Sequence, residues 1–311
     1  MIDRNIQTAV ITGPTGAIGT ALCRRLAQAG VTVYAVHRPD SPRANGIASH
    51  EKIIPVACDI TELTKLPDLL SGRIDAFYHF AWTHTIGPGR NDMPAQIANI
   101  RYTMDAVKAA AALGCRVFVG AGSQAEYGRV EGVLKAETPC FPENGYGMAK
   151  LCAGQMSRVL SQQLGIDHVW PRILSVYGPG DGSATMISGV ITQLLAGKKP
   201  ALTPGTQKWD YLYSEDAAEA MYRMARHGVS GKVYPLGSGV AQPLRVYVEQ
   251  LRDAIDPQLP LGFGEIAFGP LQVMHLQADI SELMADTGFA PKTSFSQGIQ
   301  NTIHRMKGTT K

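Results

Sequence analysis

The stretch from Thr8 to Arg38 constrains the fold more tightly than any other part of the chain. An apolar β-type segment, Ala9-Val10-Ile11, leads through Gly13-Pro14-Thr15-Gly16-Ala17-Ile18-Gly19 into an amphipathic run that stops at Gly30. Val31 to Val36 follows as a second apolar segment. The pattern is strand, glycine loop, helix, strand, the opening unit of a doubly wound parallel sheet. Each glycine has its own mechanical task. Gly13 lets the chain turn sharply off the strand, Gly16 lets backbone approach a pyrophosphate, and Gly19 lets the helix lie close to the sheet. Unpaired N–H groups and the partial positive charge of the helix N-terminus then face that anion. The expected fold class is therefore α/β, with a dinucleotide across the carboxyl ends of the strands.

At 311 residues, 45% of them hydrophobic, the chain is long enough for a full core and for one large or two coupled domains. Its formal charge of +3 is small and no basic stripe is interleaved with aromatics, so nucleic acid is not expected as a partner. The cysteines Cys23, Cys58, Cys115, Cys140 and Cys152 show neither C-x-x-C spacing nor a histidine cluster. They read as reduced thiols in a cytoplasmic protein, with no metal site. MIDRNIQTAV enters a strand almost at once and no apolar run is long enough to span a bilayer, so neither a signal peptide nor a membrane is expected.

Val36-His37-Arg38 closes the second strand, where an NAD-selective site places an acid for the ribose hydroxyls. Arg38 suits a 2′-phosphate instead, with His37 stacking or assisting. NADP(H) is thus preferred, while Asp40 keeps NAD(H) possible and Arg38 also reads as a surface residue opening a loop. The third strand, Lys52 to Ala57, ends at Cys58-Asp59-Ile60, where spacing alone makes Asp59 an N-cap for a helix near Leu63 to Leu70. Ile74 to Phe80 is the next strand, and Trp82 just beyond it either narrows a ligand crevice or packs in the interior. A loop-like segment from His84 to Met93 and a helix from about Pro94 to Leu113 precede the fifth strand, Arg116 to Ala121. Tyr146 and Lys150, four apart, share one face of a helix that runs to about Leu164. A phenol with a reference pKa of about 10 is a poor proton shuttle at neutral pH, and a nearby ammonium stabilises its anion. Ser123, after the fifth strand, supplies a hydroxyl that can polarise a carbonyl beside that phenol.

The G-x-x-G-x-x-G loop, Ser123 and Tyr146-Gly147-Met148-Ala149-Lys150 together resemble the extended short-chain dehydrogenases/reductases of the NAD-dependent epimerase/dehydratase family, which modify nucleotide sugars. The likeness continues through Arg172-Ile173-Leu174-Ser175-Val176-Tyr177-Gly178-Pro179, similar to R-x-x-N-V-Y-G-P, and Trp209-Asp210-Tyr211, similar to R-D-F. Ala278-Asp279-Ile280-Ser281 and Gly288-Phe289-Ala290-Pro291 resemble the family's closing strand and turn. The resemblance implies a Rossmann-like sheet with a smaller C-terminal substrate lobe. Residues 1–175 and 207–238 would form the cofactor domain, and 176–206 and 239–311 the lobe. It also implies that Ser123, Tyr146 and Lys150 are catalytic. The cofactor would lie against Gly13, Thr15, Gly16, Ile18 and Gly19 in the loop, His37 and Arg38, Asp59 and Ile60, Phe80, Ala81 and Trp82, Tyr146 and Lys150, and Ile173. Asp59 and Ile60 would meet the adenine. Helices near Pro94 to Leu113 and Glu143 to Leu164 would, by the same analogy, form a homodimer contact.

Three departures bear on the substrate. Ser175 replaces the family's asparagine, Trp209 replaces its arginine and leaves Lys208 as the nearest cation, and residues 269–273 lack a further arginine. Gln124, Ser175 and Lys208 are the candidate substrate contacts, and Arg90 or Lys199 could add charge from loops. The main expectation is NADPH-dependent reduction of a 4-keto-6-deoxy nucleotide sugar; the alternative is a nucleotide-sugar epimerase with tightly bound NAD. A non-catalytic NADP sensor would not require all three catalytic residues. 4,6-Dehydration needs a carboxylate base. Gln124 and Ala125 stand where dehydratases carry an acid pair, and Glu126, displaced by one, points to the opposite face in extended backbone.

Overall fold

The computed structural model describes residues 2–182 and 184–308. Its first half alternates strands and helices: β1 (Thr8–Thr12), α1 (Ala17–Gln28), β2 (Thr32–His37), β3 (Ile53–Ala57), α2 (Leu66–Leu69), β4 (Ala76–His79), α3 (Met93–Ala112), β5 (Val117–Gly120), β6 (Gly122–Ser123), α4 (Gly145–Gln163) and β7 (Asp167–Ile173). The second half is more irregular: β8 (Ser175–Tyr177), α5 (Met186–Leu195), β9 (Ala201–Leu202), β10 (Lys208–Trp209), β11 (Tyr211–Tyr213), α6 (Ser214–His227), β12 (Val233–Leu236), β13 (Gln242–Pro243), α7 (Leu244–Asp253), β14 (Gly262–Phe263), α8 (Ser281–Thr287) and α9 (Phe295–Gly308).

The main sheet runs β12-β7-β5-β4-β1-β2-β3, with β6 beside β7. Every pairing in it is parallel; β1 pairs Ala9 with Val33 on one side and with Ala76 on the other. The strand order reverses between β1 and β4, and a ligand crevice opens at that point in sheets of this kind. Parallel strands covered on both faces must be apolar on both, and Ala9, Val10 and Ile11 are all fully buried. Leu22 and Leu26 of α1 join Met221 and Met224 of α6 on one face, while Ala106, Val107 and Ala110 of α3 join Phe77 and Phe118 on the other. The helix expected near Leu63 to Leu70 is instead a 3-10 segment, Ile60–Lys65, followed by the single turn of α2.

A second core gathers Ile187, Ile191 and Leu194 of α5, Val248 and Leu251 of α7, and Ile299 and Ile303 of α9. The short β8–β11 pair, with Ser175 opposite Tyr211, joins it to the main sheet. Asp210, fully buried, holds that junction: its carboxylate accepts from the backbone N–H groups of Ser238 (2.6 Å), Gly239 (3.0 Å) and Ala278 (3.1 Å). Among the described residues no helix is long and apolar enough to cross a membrane.

Candidate active site

The three glycines of the first loop are used differently. Gly13 adopts φ +74°, and a Cβ there would sit 2.9 Å from the Ala81 nitrogen, against the turn after β4. A Cβ on Gly19 would meet the Gly13 carbonyl oxygen at 2.1 Å, so helix and loop can touch only because none is present. Gly16 has an ordinary φ of −79°, and the nearest atom to a Cβ on it would be 3.8 Å away. Protein contacts do not demand glycine there. The open space fits a ligand's phosphates, and the first turn of α1 carries neither a side-chain cap nor an acid that would compete for them.

Two cavities meet at this loop. One, about 260 Å³, is lined by Thr15, His37, Arg38, Ser41, Arg43, Asp59, Ile60 and Ala81. Asp59 combines both readings of the sequence, since it lines this cavity while its carboxylate accepts from the Thr61 N–H (3.0 Å) and hydroxyl (2.9 Å) as an N-cap. The other cavity, about 360 Å³, is lined by Gly16, Ile18, Gly19, Phe80, Ser123, Tyr146, Lys150, Ile173 and Asp181. Gly13 and Trp82 line both. Arg43 donates to the carbonyls of Thr15 and Gly180, tying the glycine loop to the segment after β8.

Ser123, Tyr146 and Lys150 converge in the larger cavity. Asn144 caps α4 by accepting from the Gly147 N–H at 2.9 Å, which sets Tyr146 in the first turn. Burial raises the pKa of its phenol, while the neighbouring Ser123 and the Arg90 guanidinium act in the opposite direction. Lys150 is buried, donates to the Ala121 carbonyl at 2.6 Å and lies 3.6 Å from the centroid of the Trp82 ring. Burial pushes its pKa down to about 7, opposed by Glu126. Trp82 is thus a wall of the cleft and not a core residue, with its Nε1 donating to Gln96 Oε1 at 3.0 Å.

Glu126 lies behind this trio. Its carboxylate accepts from the Ser123 N–H (2.8 Å), Trp170 Nε1 (3.0 Å) and Arg172 Nε (2.7 Å), and it is 1% exposed. It lines neither cavity at the glycine loop.

Over residues 9–237 the chain matches the NAD-dependent epimerase/dehydratase family. It belongs to that family. Among curated members, it is 24% identical to an uncharacterised UDP-glucose epimerase of Bacillus subtilis, over 94% of this chain and 96% of the relative. It is also 24% identical to a dTDP-glucose 4,6-dehydratase of Neisseria gonorrhoeae, over 96% and 94%. The family fold is shared with a UDP-N-acetylglucosamine 4-epimerase from Methanobrevibacter ruminantium solved in complex with UDP-N-acetylmuramic acid, at 22% identity and a TM-score of 0.87 over 99% of this chain and 100% of that one. It is shared too with a UDP-glucuronic acid 4-epimerase from Bacillus cereus solved with UDP-glucuronic acid and NAD, at 22% identity and a TM-score of 0.84 over 97% and 99%.

Against the family pattern, the expected substrate contacts are the least concentrated. Gln124, Ser175 and Lys208 are not among the residues lining either cavity. Ser175 and Trp209, the two family departures, bond to one another, the indole N–H donating to the Ser175 hydroxyl at 2.7 Å. Lys208 is exposed, and Lys199 pairs with Glu265 away from the cleft. Arg90 also lines neither cavity, but its guanidinium carbon lies 4.8 Å from the centroid of the Tyr146 ring. Arg43 and Asp181 had no signal in the sequence that set them apart from other loop residues.

Proposed function

We propose that this protein is a nucleotide-sugar 4-epimerase that oxidises and re-reduces its substrate with a dinucleotide kept in place. The observation that carries the reading is that Ser123 and Tyr146 both line the cleft, while Glu126 does not line it and is bound to Arg172. A hydroxyl pair can move one proton reversibly, as epimerisation requires, and Glu126 cannot serve as the added carboxylate base of a dehydratase. Reduction of a 4-keto-6-deoxy sugar, the main expectation from the sequence, relied on Arg38. That residue lines the other cavity, and a contact there selects the cofactor without deciding whether hydride is returned. Arg43, bridging Thr15 and Gly180 beside the glycine loop, favours a cofactor that is retained. The curated epimerase relative supports the same reading.

In this mechanism Ser123 holds the 4-oxygen of the sugar and Tyr146 takes its proton, then gives it back once the sugar has presented its other face. A dinucleotide bound against the glycine loop would supply a reversible hydride acceptor for C4. Lys150, which lines the same cavity, would hold the adjoining ribose. Arg38 favours NADP(H) over NAD(H). Residues 176–206 and 239–311 form the substrate lobe, of which 183 and 309–311 lie outside the described residues. α3 and α4 expose Ile97, Met148 and Met156 and form the contact of a cytoplasmic homodimer.

The test is to release and identify any dinucleotide in the purified protein. UDP-, dTDP-, GDP- and CDP-hexoses are then incubated with it, following 4-epimers by chromatography and the reduced cofactor by absorbance. Interconversion without net cofactor use is expected. Stoichiometric NADPH oxidation with a 4-keto-6-deoxy sugar, and no interconversion, would restore the reductase.

A further inference from the structure

We propose that Arg43 is the clasp of a gate through which the dinucleotide enters and leaves its crevice. The inference rests on the dinucleotide-binding part of the reading above and not on which reaction the sugar undergoes. Its basis is a bridge placed where the two cavities meet. Arg43 Nη2 donates to the Thr15 carbonyl of the glycine loop and, at 3.3 Å, to the Gly180 carbonyl of the segment after β8. Thr15 and Arg43 line the smaller cavity, while Gly16 and Asp181, the next residues along the two bridged segments, line the larger one. The bridge therefore stands at the boundary between them. Trp82 lines both cavities, and its Nε1 is held by Gln96 Oε1. A ligand long enough to occupy both cavities has to pass this fixed indole and the Arg43 bridge, and of the two the bridge is the part that can yield.

Both bridged segments are built to part and to meet again. Arg43 and Gly180 are exposed, and the short 3-10 turn that follows Arg43, Ala44–Gly46, buries no residue. Local bonds close that turn, the Ala44 N–H donating to the Ser41 carbonyl (3.0 Å) and the Gly46 N–H to the Arg43 carbonyl (2.9 Å), so the loop keeps its shape when the guanidinium lets go. Gly180 sits at φ +83°, and a Cβ on it would find nothing within 4 Å. Next to it, the Asp181 carboxylate accepts from the Gly182 N–H (3.0 Å) and the Thr185 hydroxyl (2.8 Å), and Thr185 in turn caps α5. The strap from Gly178 to Gly182 thus runs straight into the second core. The Arg43 charge also favours the Asp181 anion, a further attraction across the bridge. Exposed hydrogen bonds with no buried apolar contact behind them belong to the part of a fold that opens locally while the rest stays folded.

Arg43 acts by holding the crevice shut and is a positioning residue, so the test reads binding rates and not turnover. Nucleotide-free protein is mixed with NADH or with NADPH in a stopped-flow fluorimeter, and each is then chased off with an excess of its oxidised form. A gate slows entry and exit alike. Arg43→Gln should therefore raise the association and dissociation rates together, by about tenfold or more, the scale of a charge-assisted hydrogen bond that holds the closed form, and leave Kd nearly unchanged. NADH and NADPH should respond equally, and amide hydrogen exchange at residues 178–182 should quicken while Tm stays where it is. A rise in the dissociation rate alone makes Arg43 an ordinary cofactor contact and overturns the proposal. An effect confined to NADPH, which makes Arg43 a ligand of the 2′-phosphate, overturns it too, as do unmoved rates. A wild-type protein that binds neither nucleotide would overturn the dinucleotide reading together with the gate. The sugar chemistry does not enter, since no sugar is added.

Discussion

Replacing Glu126 with Gln separates a structural carboxylate from a catalytic one. The substitution keeps shape and removes charge, leaving Arg172, 4% exposed, without its anion. One amide oxygen must then serve the three donors now shared by two carboxylate oxygens, the Ser123 N–H, Trp170 Nε1 and Arg172 Nε. Breaking a buried ion pair from one side costs about 3–5 kcal/mol. An unfolding entropy of about 2.1 cal/mol/K per residue gives about 0.65 kcal/mol/K for 311 residues, so Tm should fall by roughly 5–8 °C. The assay is a calorimetric or circular-dichroism melt of the wild type, Glu126→Gln, and Glu126→Gln with Arg172→Met. The double variant should melt above the single one, because it no longer buries an unpaired guanidinium. An unchanged Tm combined with loss of turnover in Glu126→Gln would refute this reasoning and make the carboxylate a base.

Arg38→Ala should weaken NADP(H) binding by about tenfold or more, the loss of one charge-assisted contact worth about 1.5–3 kcal/mol, and leave NAD(H) nearly unchanged; equal wild-type Kd values for the two cofactors, by calorimetry, would count against the preference. Tyr146→Phe should abolish turnover and spare cofactor binding, whereas Lys150→Ala should damage both, as fluorescence titration and epimer analysis will show. His79 and His168 are buried and their pKa values are pushed down to about 3 by burial, from 6.5. The unfolded chain therefore binds more protons between those values, and stability is lost as pH falls from about 6.5 toward 3. A urea midpoint that does not fall between pH 7 and pH 4.5 would contradict this.

What the sequence made legible is what covalent spacing determines. Gly13, Gly16 and Gly19 lie within one turn of chain, and Tyr146 and Lys150 lie one helical turn apart, so their relation follows from local geometry. Ser123 was readable because the strand before it enters the sheet next to β4. Arg43 was not, and Arg90 was named only as a loop charge without a place, because bonds to distant segments decide where their loops go: Gly180 for the first, and Gly145, held by Asn91, for the second. Asp59 shows a different limit. Its two readings were treated as alternatives, but a capping carboxylate uses one oxygen on the turn and still presents its other side to a cavity. The departures Ser175 and Trp209 were each legible alone, and their contact across 34 positions was not.

That contact makes the two positions a unit of inheritance. Restoring the family arginine at 209 by itself would take the indole N–H from the Ser175 hydroxyl and introduce a guanidinium among groups that had settled around an aromatic ring. Restoring asparagine at 175 by itself would crowd a larger amide against that ring. Either single step loses the bond without supplying the other arrangement, so the two positions are expected to change together. Substitutions at this junction should therefore vary 175 and 209 in one library, since a single change breaks their hydrogen bond from one side.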